Sequence, residues 1–124
     1  MPIKGCGVDM IEIKRIARAL QKKRFRQRIY TCWEQKHLKN KKAQSWAARF
    51  AAKEAVMKAL GFGWGQGASF RDIEIAVNER GRPEVRLQGQ TLELAQKLGV
   101  AKLLLSLSHT KELAAAYVIA IGEE

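Results

Sequence analysis

Cysteine is scarce in this chain. Only Cys6 and Cys32 occur, with no C-x-x-C pair and no His/Cys cluster at zinc-ligand spacing. A disulfide framework and a structural zinc site are therefore not expected, and two free thiols are. Long apolar runs are missing too. Leu103 to Leu107 and Leu113 to Ile121 fall well short of the ~18–20 residues that cross a bilayer, so no membrane partner is expected. The N-terminus lacks the order of charged start, apolar run and small-residue cleavage site, since Lys4 is followed within a few residues by Gly, Asp and Glu; the expectation is a soluble, cytoplasmic chain. Acids are few: 12 Asp and Glu stand against 23 Lys and Arg, a net charge of +11. The partners of such a surface are anions. Nucleic acid, an acidic membrane surface, a polyphosphate ligand and an acidic protein all satisfy it, and charge alone does not choose among them. No repeat, linker or low-complexity segment divides the 124 residues, 47% of them hydrophobic, so one domain over residues 1–124 is expected.

What is present reads as an α+β chain. Ile3 to Ile13, with Gly5, Gly7 and scattered apolar residues, suits a first strand carrying Asp9. Arg15 to Tyr30 is basic with apolar residues at a rough helical period, giving one or two short helices. Thr31 and Glu34 form a T-x-x-E capping box that starts another helix before Leu38. Ser45 to Leu60 is rich in alanine, free of Gly and Pro, and stops on Gly61 as a helix should. The glycines at every second position from Gly61 to Gly67 make a loop. Phe70 to Val77 and Glu84 to Leu87 read as a hairpin, Thr91 to Leu98 as a helix stopped by Gly99, and Ala101 to Ser108 with Leu113 to Ile121 as a second hairpin. Helices packed on an antiparallel sheet follow from that order.

Few residues stand out chemically. Asp9 lies among apolar neighbours, where an ionised carboxylate needs a cationic partner or a metal; any of the many arginines would serve. In Arg49-Phe-Ala-Ala-Lys53-Glu54-Ala-Val-Met-Lys58 the lone acid is Glu54. At ~100° per residue, Lys58 lies about 40° from Glu54, with Lys53 and Arg49 about 100° and 140° away on the other side. An ordinary Glu54–Lys58 surface pair explains that spacing equally well. His109 falls at a turn beside Ser106, Ser108 and Thr110, while His37 in a Lys-rich helix reads as surface. No G-x-S-x-G elbow accompanies these hydroxyls, so a Ser/His hydrolase is not supported. The glycine loop follows a helix and lacks the GK[ST] ending of a P-loop, although it lets backbone approach a ligand.

Five segments, in order, resemble the holo-[acyl-carrier-protein] synthase family: Gly7-Val-Asp9-Met-Ile-Glu12-Ile-Lys-Arg15-Ile16, Arg49 to Gly61, Ser69-Phe-Arg-Asp72-Ile-Glu-Ile75, Gly81-Arg-Pro83 and Ser106-Leu-Ser-His109-Thr110. The resemblance spans nearly the whole chain. It implies the small trimeric 4'-phosphopantetheinyl transferase fold, with active sites between subunits. It also implies Asp9 and Glu54 as ligands of Mg2+; Arg49, Lys53 and Lys58 around the coenzyme A phosphates; His109 and Thr110 lining the nucleotide pocket with Pro83 nearby; and Arg15, Arg18, Lys22 and Arg24 receiving the acidic carrier protein. Two departures, Arg82 where the family often has Lys and the bulky Trp64 in the glycine loop, bear on the nucleotide contacts.

The reaction so implied is attack by a carrier-protein serine on the β-phosphate of coenzyme A in fatty acid biosynthesis, with adenosine 3',5'-bisphosphate leaving. Glu54 is the candidate base and Lys58 its catalytic neighbour. The alternative is a basic nucleic-acid-binding module, motivated by a pI near 10.1 and the basic stretch from Lys14 to Arg28. Such a module needs base-edge readers or an aromatic platform, whereas the nine aromatics are dispersed and no RNP-like strand occurs; no nucleic-acid partner is expected.

Overall fold

The computed structural model describes residues 2–63 and 65–123, so Trp64 lies outside the described residues. The chain opens with strand β1 (Ile3–Glu12), followed by three short helices, α1 (Ile13–Ala19), α2 (Lys23–Ile29) and α3 (Cys32–Leu38), and one long one, α4 (Ala43–Leu60). After the glycine loop come a 3-10 turn (Phe70–Asp72), the hairpin β2 (Ile73–Val77) and β3 (Pro83–Leu87), helix α5 (Gly89–Lys97) and the hairpin β4 (Val100–His109) and β5 (Leu113–Gly122). β1, β5 and β4 form one antiparallel sheet in that order, and β2 with β3 a second. The α+β architecture expected from the sequence is present.

α4 is the spine. Its alanines 47, 48, 51, 52, 55 and 59 are buried together with Trp46, Val56, Met57 and Leu60, as befits a helix enclosed on nearly all sides. It lies directly on β1. A Cβ added at Gly7 would overlap the Ala55 carbonyl, and one at Gly5 the Ala59 carbonyl, so two glycines on the strand and two alanines on the helix allow backbones to meet. Gly61 ends α4 in the left-handed conformation, φ 79°, sending its N–H back to the Met57 and Lys58 carbonyls. At the start of α3, Glu34 N–H donates to Thr31 Oγ1 while Thr31 N–H donates to Glu34 Oε1, the reciprocal cap read from the sequence.

One boundary differs in kind. The strand expected from Phe70 begins only at Ile73, because the preceding turn is tied elsewhere: Asp72 accepts from the Thr91 N–H and hydroxyl at 3.2 and 3.0 Å. Phe70 meanwhile stacks on Phe50 with ring centroids 5.6 Å apart.

Candidate active site

Alternation along β1 turns Gly5, Gly7, Asp9 and Ile11 toward α4 and leaves Val8 and Met10 on the opposite face. Asp9 therefore reaches the helix over the two glycines, where no side chain intervenes. Lys58, in the last turn of α4, crosses to the strand. Its ammonium donates to Asp9 Oδ1 at 3.2 Å and to the Val8 carbonyl at 3.0 Å, so the lysine joins helix to strand instead of making only a surface pair along the helix. Glu54, one turn earlier, is half-buried. Burial, and then the negative charge of Asp9, raise its carboxyl above the ordinary value, while Lys58 and Arg15 pull it back. Asp9, Glu54, Lys58 and Arg15 are thus brought to one place from β1, α4 and α1.

Two carboxylates thus meet partly removed from water, and the charge of Asp9 raises the cost of ionising Glu54. Among the described residues no group of three or more His, Cys, Asp or Glu is assembled. A cation held here has two protein carboxylates, which suits magnesium, an ion that commonly takes one or two carboxylates and leaves its other positions to phosphate and water. The donor chemistry of the site fits that ion.

A second cluster lies at the other edge of the sheet. Arg49 lines a cleft of about 490 Å³ with Gly81, Arg82, Pro83 and Ser106, and an adjoining one of about 150 Å³ with Gln44, Ser45, Ser108 and His109. Its Nη1 makes a long hydrogen bond, 3.4 Å, to the Ser45 carbonyl. Arg49 Nε is buried and has no hydrogen-bond partner among the described residues, and burial lowers the guanidinium from its ordinary value, with Glu34 opposing. An incoming anion satisfies such a nitrogen. His109 closes β4 rather than sitting at the apex of a turn, and is exposed. Thr110 forms the turn itself, its Oγ1 accepting from the N–H groups of Glu112 and Leu113 at 3.3 and 3.1 Å.

Within one chain the two clusters do not merge. Asp9 and Leu107 flank the same residue of β5, Ala116, which at two inter-strand spacings puts their backbones roughly 10 Å apart, and His109 lies two residues farther on. A larger cleft of about 560 Å³ between β3, α5 and β4 is lined mainly by Val85, Leu87, Leu92, Val100 and Leu103; it includes Pro83 but neither carboxylate.

Lys53 departs from expectation. The family resemblance implies a place for it among the cations around the coenzyme A phosphates, yet its side chain is fully buried. The ammonium donates to Glu34 Oε1 at 2.6 Å, to the Ile29 carbonyl at 2.7 Å and to the Phe70 carbonyl at 3.1 Å. All three of its donors are spent inside the protein, so it does not reach a ligand at the surface. Removing one member of such a pair typically costs about 3–5 kcal/mol. Arg15, Arg18, Lys22 and Arg24 are all exposed along α1, the following turn and α2. Arg82, Ser106 and Ser108, which line the clefts beside Arg49, were not singled out as ligands in the sequence; Arg82 entered only as a departure from the family pattern, and the serines only as neighbours of His109.

Comparison with known proteins gives a consistent picture. Residues 5–121 match the 4'-phosphopantetheinyl transferase superfamily. The holo-[acyl-carrier-protein] synthase of Ruminiclostridium cellulolyticum is 45% identical over 123 residues, covering 94% of this chain and 92% of the relative. Among solved structures, the Bacillus anthracis holo-(acyl-carrier-protein) synthase in complex with CoA (3',5'-ADP) superposes with a TM-score of 0.82 at 37% identity, over 98% of each chain. The Helicobacter pylori synthase in complex with coenzyme A gives 0.84 at 32% identity, over 94% of this chain and 99% of that one.

Proposed function

The chain belongs to the 4'-phosphopantetheinyl transferase superfamily, among the holo-[acyl-carrier-protein] synthases that move the phosphopantetheine arm of coenzyme A onto an acyl carrier protein, and we propose that its two clusters divide that reaction between them. The observation that carries the reading is the meeting of Asp9, Glu54 and Lys58 across the β1–α4 contact.

Arg49, Arg82, Pro83 and His109 hold the nucleotide end of coenzyme A, the unpartnered Arg49 Nε taking a phosphate oxygen. Asp9 and Glu54 hold Mg2+, which when bound sets positive charge against the phosphoryl oxygens. Lys58, already shared between Asp9 and a backbone carbonyl, supplies a second cation beside the transferring group. The carrier-protein serine oxygen forms a bond to the β-phosphorus as the bond from that phosphorus to the bridging oxygen breaks, and adenosine 3',5'-bisphosphate departs with that oxygen. Glu54, directly or through a water, accepts the serine proton. Arg15, next to Glu54, opens the basic face of α1 and α2 along which the acidic carrier protein docks with its serine toward the carboxylates.

The separation of the clusters on one chain supports an assembly in which the Asp9 edge of one copy meets the His109 edge of another. A second feature agrees. The sheet face away from α4 exposes Val8 (53%), Met10 (62%), Leu104 (41%) and Tyr117 (45%), and Val8 is paired directly with Tyr117, so the apolar surface is continuous and of the kind that marks an interface. A homotrimer that buries this face is the expected state in light scattering; a monomer at micromolar concentration contradicts it. The functional reading is tested by thermal shift. Coenzyme A with magnesium should raise the melting temperature, and an oligonucleotide should not; the reverse pattern overturns the assignment.

A further inference from the structure

Lys53 neighbours Glu54 in sequence, yet the two side chains serve different surroundings. Glu34, fully buried, accepts from Thr31 N–H and from Lys53 through Oε1, and from Ile75 N–H at 2.8 Å through Oε2. Its carboxylate is therefore fixed by the first turn of α3 and by β2 before Lys53 is considered. Lys53 then adds the Ile29 carbonyl at the end of α2 and the Phe70 carbonyl where the glycine loop rejoins the fold. Three elements, α2, α3 and the 3-10 turn, converge on one ammonium from α4, and β2 joins them through Glu34.

The contact of α4 with β1 explains why such a fixture is needed. Glycines meet alanines there, and a surface without protruding side chains offers little to stop a helix sliding or turning on its strand. Short charged hydrogen bonds are directional and resist both motions. Buried ion pairs are seldom required for stability, since apolar replacement is often neutral or better, whereas a displacement of about 1 Å at reacting groups can cost 100-fold in rate.

We propose that Glu34 and Lys53 are positioning residues that set the axial and rotational placement of α4, and through it hold the Glu54 carboxylate in register with Asp9. The proposal rests on the assignment of Asp9 and Glu54 to the transfer site. It also gives Lys53 a role for which contact with coenzyme A is unnecessary.

The test uses the double variant Glu34→Gln with Lys53→Met, which removes both charges, nearly conserves volume and leaves an amide oxygen for one of the two N–H groups, of Thr31 and Ile75, that Glu34 accepts from. At a temperature where it is folded by circular dichroism, kcat should fall about 10- to 100-fold while KM for coenzyme A and for the carrier protein stay near the parent values. The affinity for Mn2+ in the presence of coenzyme A, read by electron paramagnetic resonance, should weaken by about 10-fold or more. Thr31→Val is the comparison: it removes the α3 cap but leaves the ion pair, so its melting temperature should drop while kcat per folded molecule stays within about two-fold. If the double variant does not fold at the assay temperature, Glu34→Asp, with the charge kept and the arm shortened, replaces it and should show the same split. A folded variant with kcat and Mn2+ affinity both within about two-fold of the parent overturns the proposal. Glu54→Gln, run in parallel, separates this from failure of the site itself: if it retains full turnover, the site assignment fails, and if it is inactive while the pair variant is fully active, only the positioning role fails.

Discussion

At the scale of single residues, ionised Glu54 is unfavourable in the folded chain unless a cation lies beside it. Burial and Asp9 both raise its carboxyl above the ordinary 4.5. Because the folded state binds the proton more tightly than the unfolded state, stability contributed by the protonated group is present below the ordinary value and is lost as pH rises through the raised one. Glu54→Gln removes the charge and should raise the melting temperature at neutral pH in calorimetry without magnesium, with the difference closing toward pH ~4. Transfer by the same variant should fall about 100- to 10,000-fold, as loss of a general base does. A melting temperature at or below the parent's at neutral pH would contradict the closeness of the two acids. Asp9 and Glu54 were legible in the sequence as acids in apolar or cationic settings. Lys58's partner was not, because Asp9 is remote along the chain. The resemblance that implies a phosphate-binding Lys53 carries no information about its contact with Glu34, and so could not tell a phosphate-binding lysine from a buried one.

Among elements, the contact between β1 and α4 decides the geometry of the site. Gly7→Ala puts a Cβ against the carbonyl of Ala55 and the N–H of Ala59, backbone atoms that cannot move aside independently. Overpacking of this sort costs about 1–3 kcal/mol, and α4 must lift from the strand that carries Asp9. Denaturant unfolding should show a loss of that size, and transfer should fall more than stability requires at temperatures where the variant is folded. An unchanged midpoint with unchanged turnover would mean that the helix does not rest on Gly7. The sequence revealed local devices best: the Thr31–Glu34 cap, the Gly61 stop and both hairpins depend on residues close in the chain. It did not reveal that β1 pairs with β5, with Ile3 opposite Ile121, since no local pattern encodes a partner so distant. The 3-10 turn at Phe70–Asp72 was missed for the same reason, being held by Thr91 of α5.

For the whole molecule, the net charge of +11 includes an exposed basic face on α1 and α2, while Arg49 and Arg82 line a separate cleft. Exposed charges are screened over about 8–10 Å at physiological ionic strength, and short, partly buried contacts much less. Raising salt from low to physiological levels at fixed magnesium should therefore increase KM for the carrier protein markedly and KM for coenzyme A little. Arg15→Glu should reproduce that bias at low salt. Equal responses of the two substrates would refute the division of the surface. The family was legible because its five segments each combine several residue types in order. Their separation into two clusters on one chain was not, since it depends on the sheet order β1-β5-β4.

The central claim is that Asp9 from β1 and Glu54 from α4 form the site of phosphopantetheine transfer. Mass spectrometry of an apo acyl carrier protein incubated with the chain, coenzyme A and magnesium tests it most directly, with Asp9→Ala and Glu54→Ala examined alongside and their folding verified by circular dichroism. The account predicts that the parent chain adds the phosphopantetheine mass to a single serine, and that each folded variant adds none in the time the parent needs for completion. Modification by either variant at close to the parent's rate would contradict it.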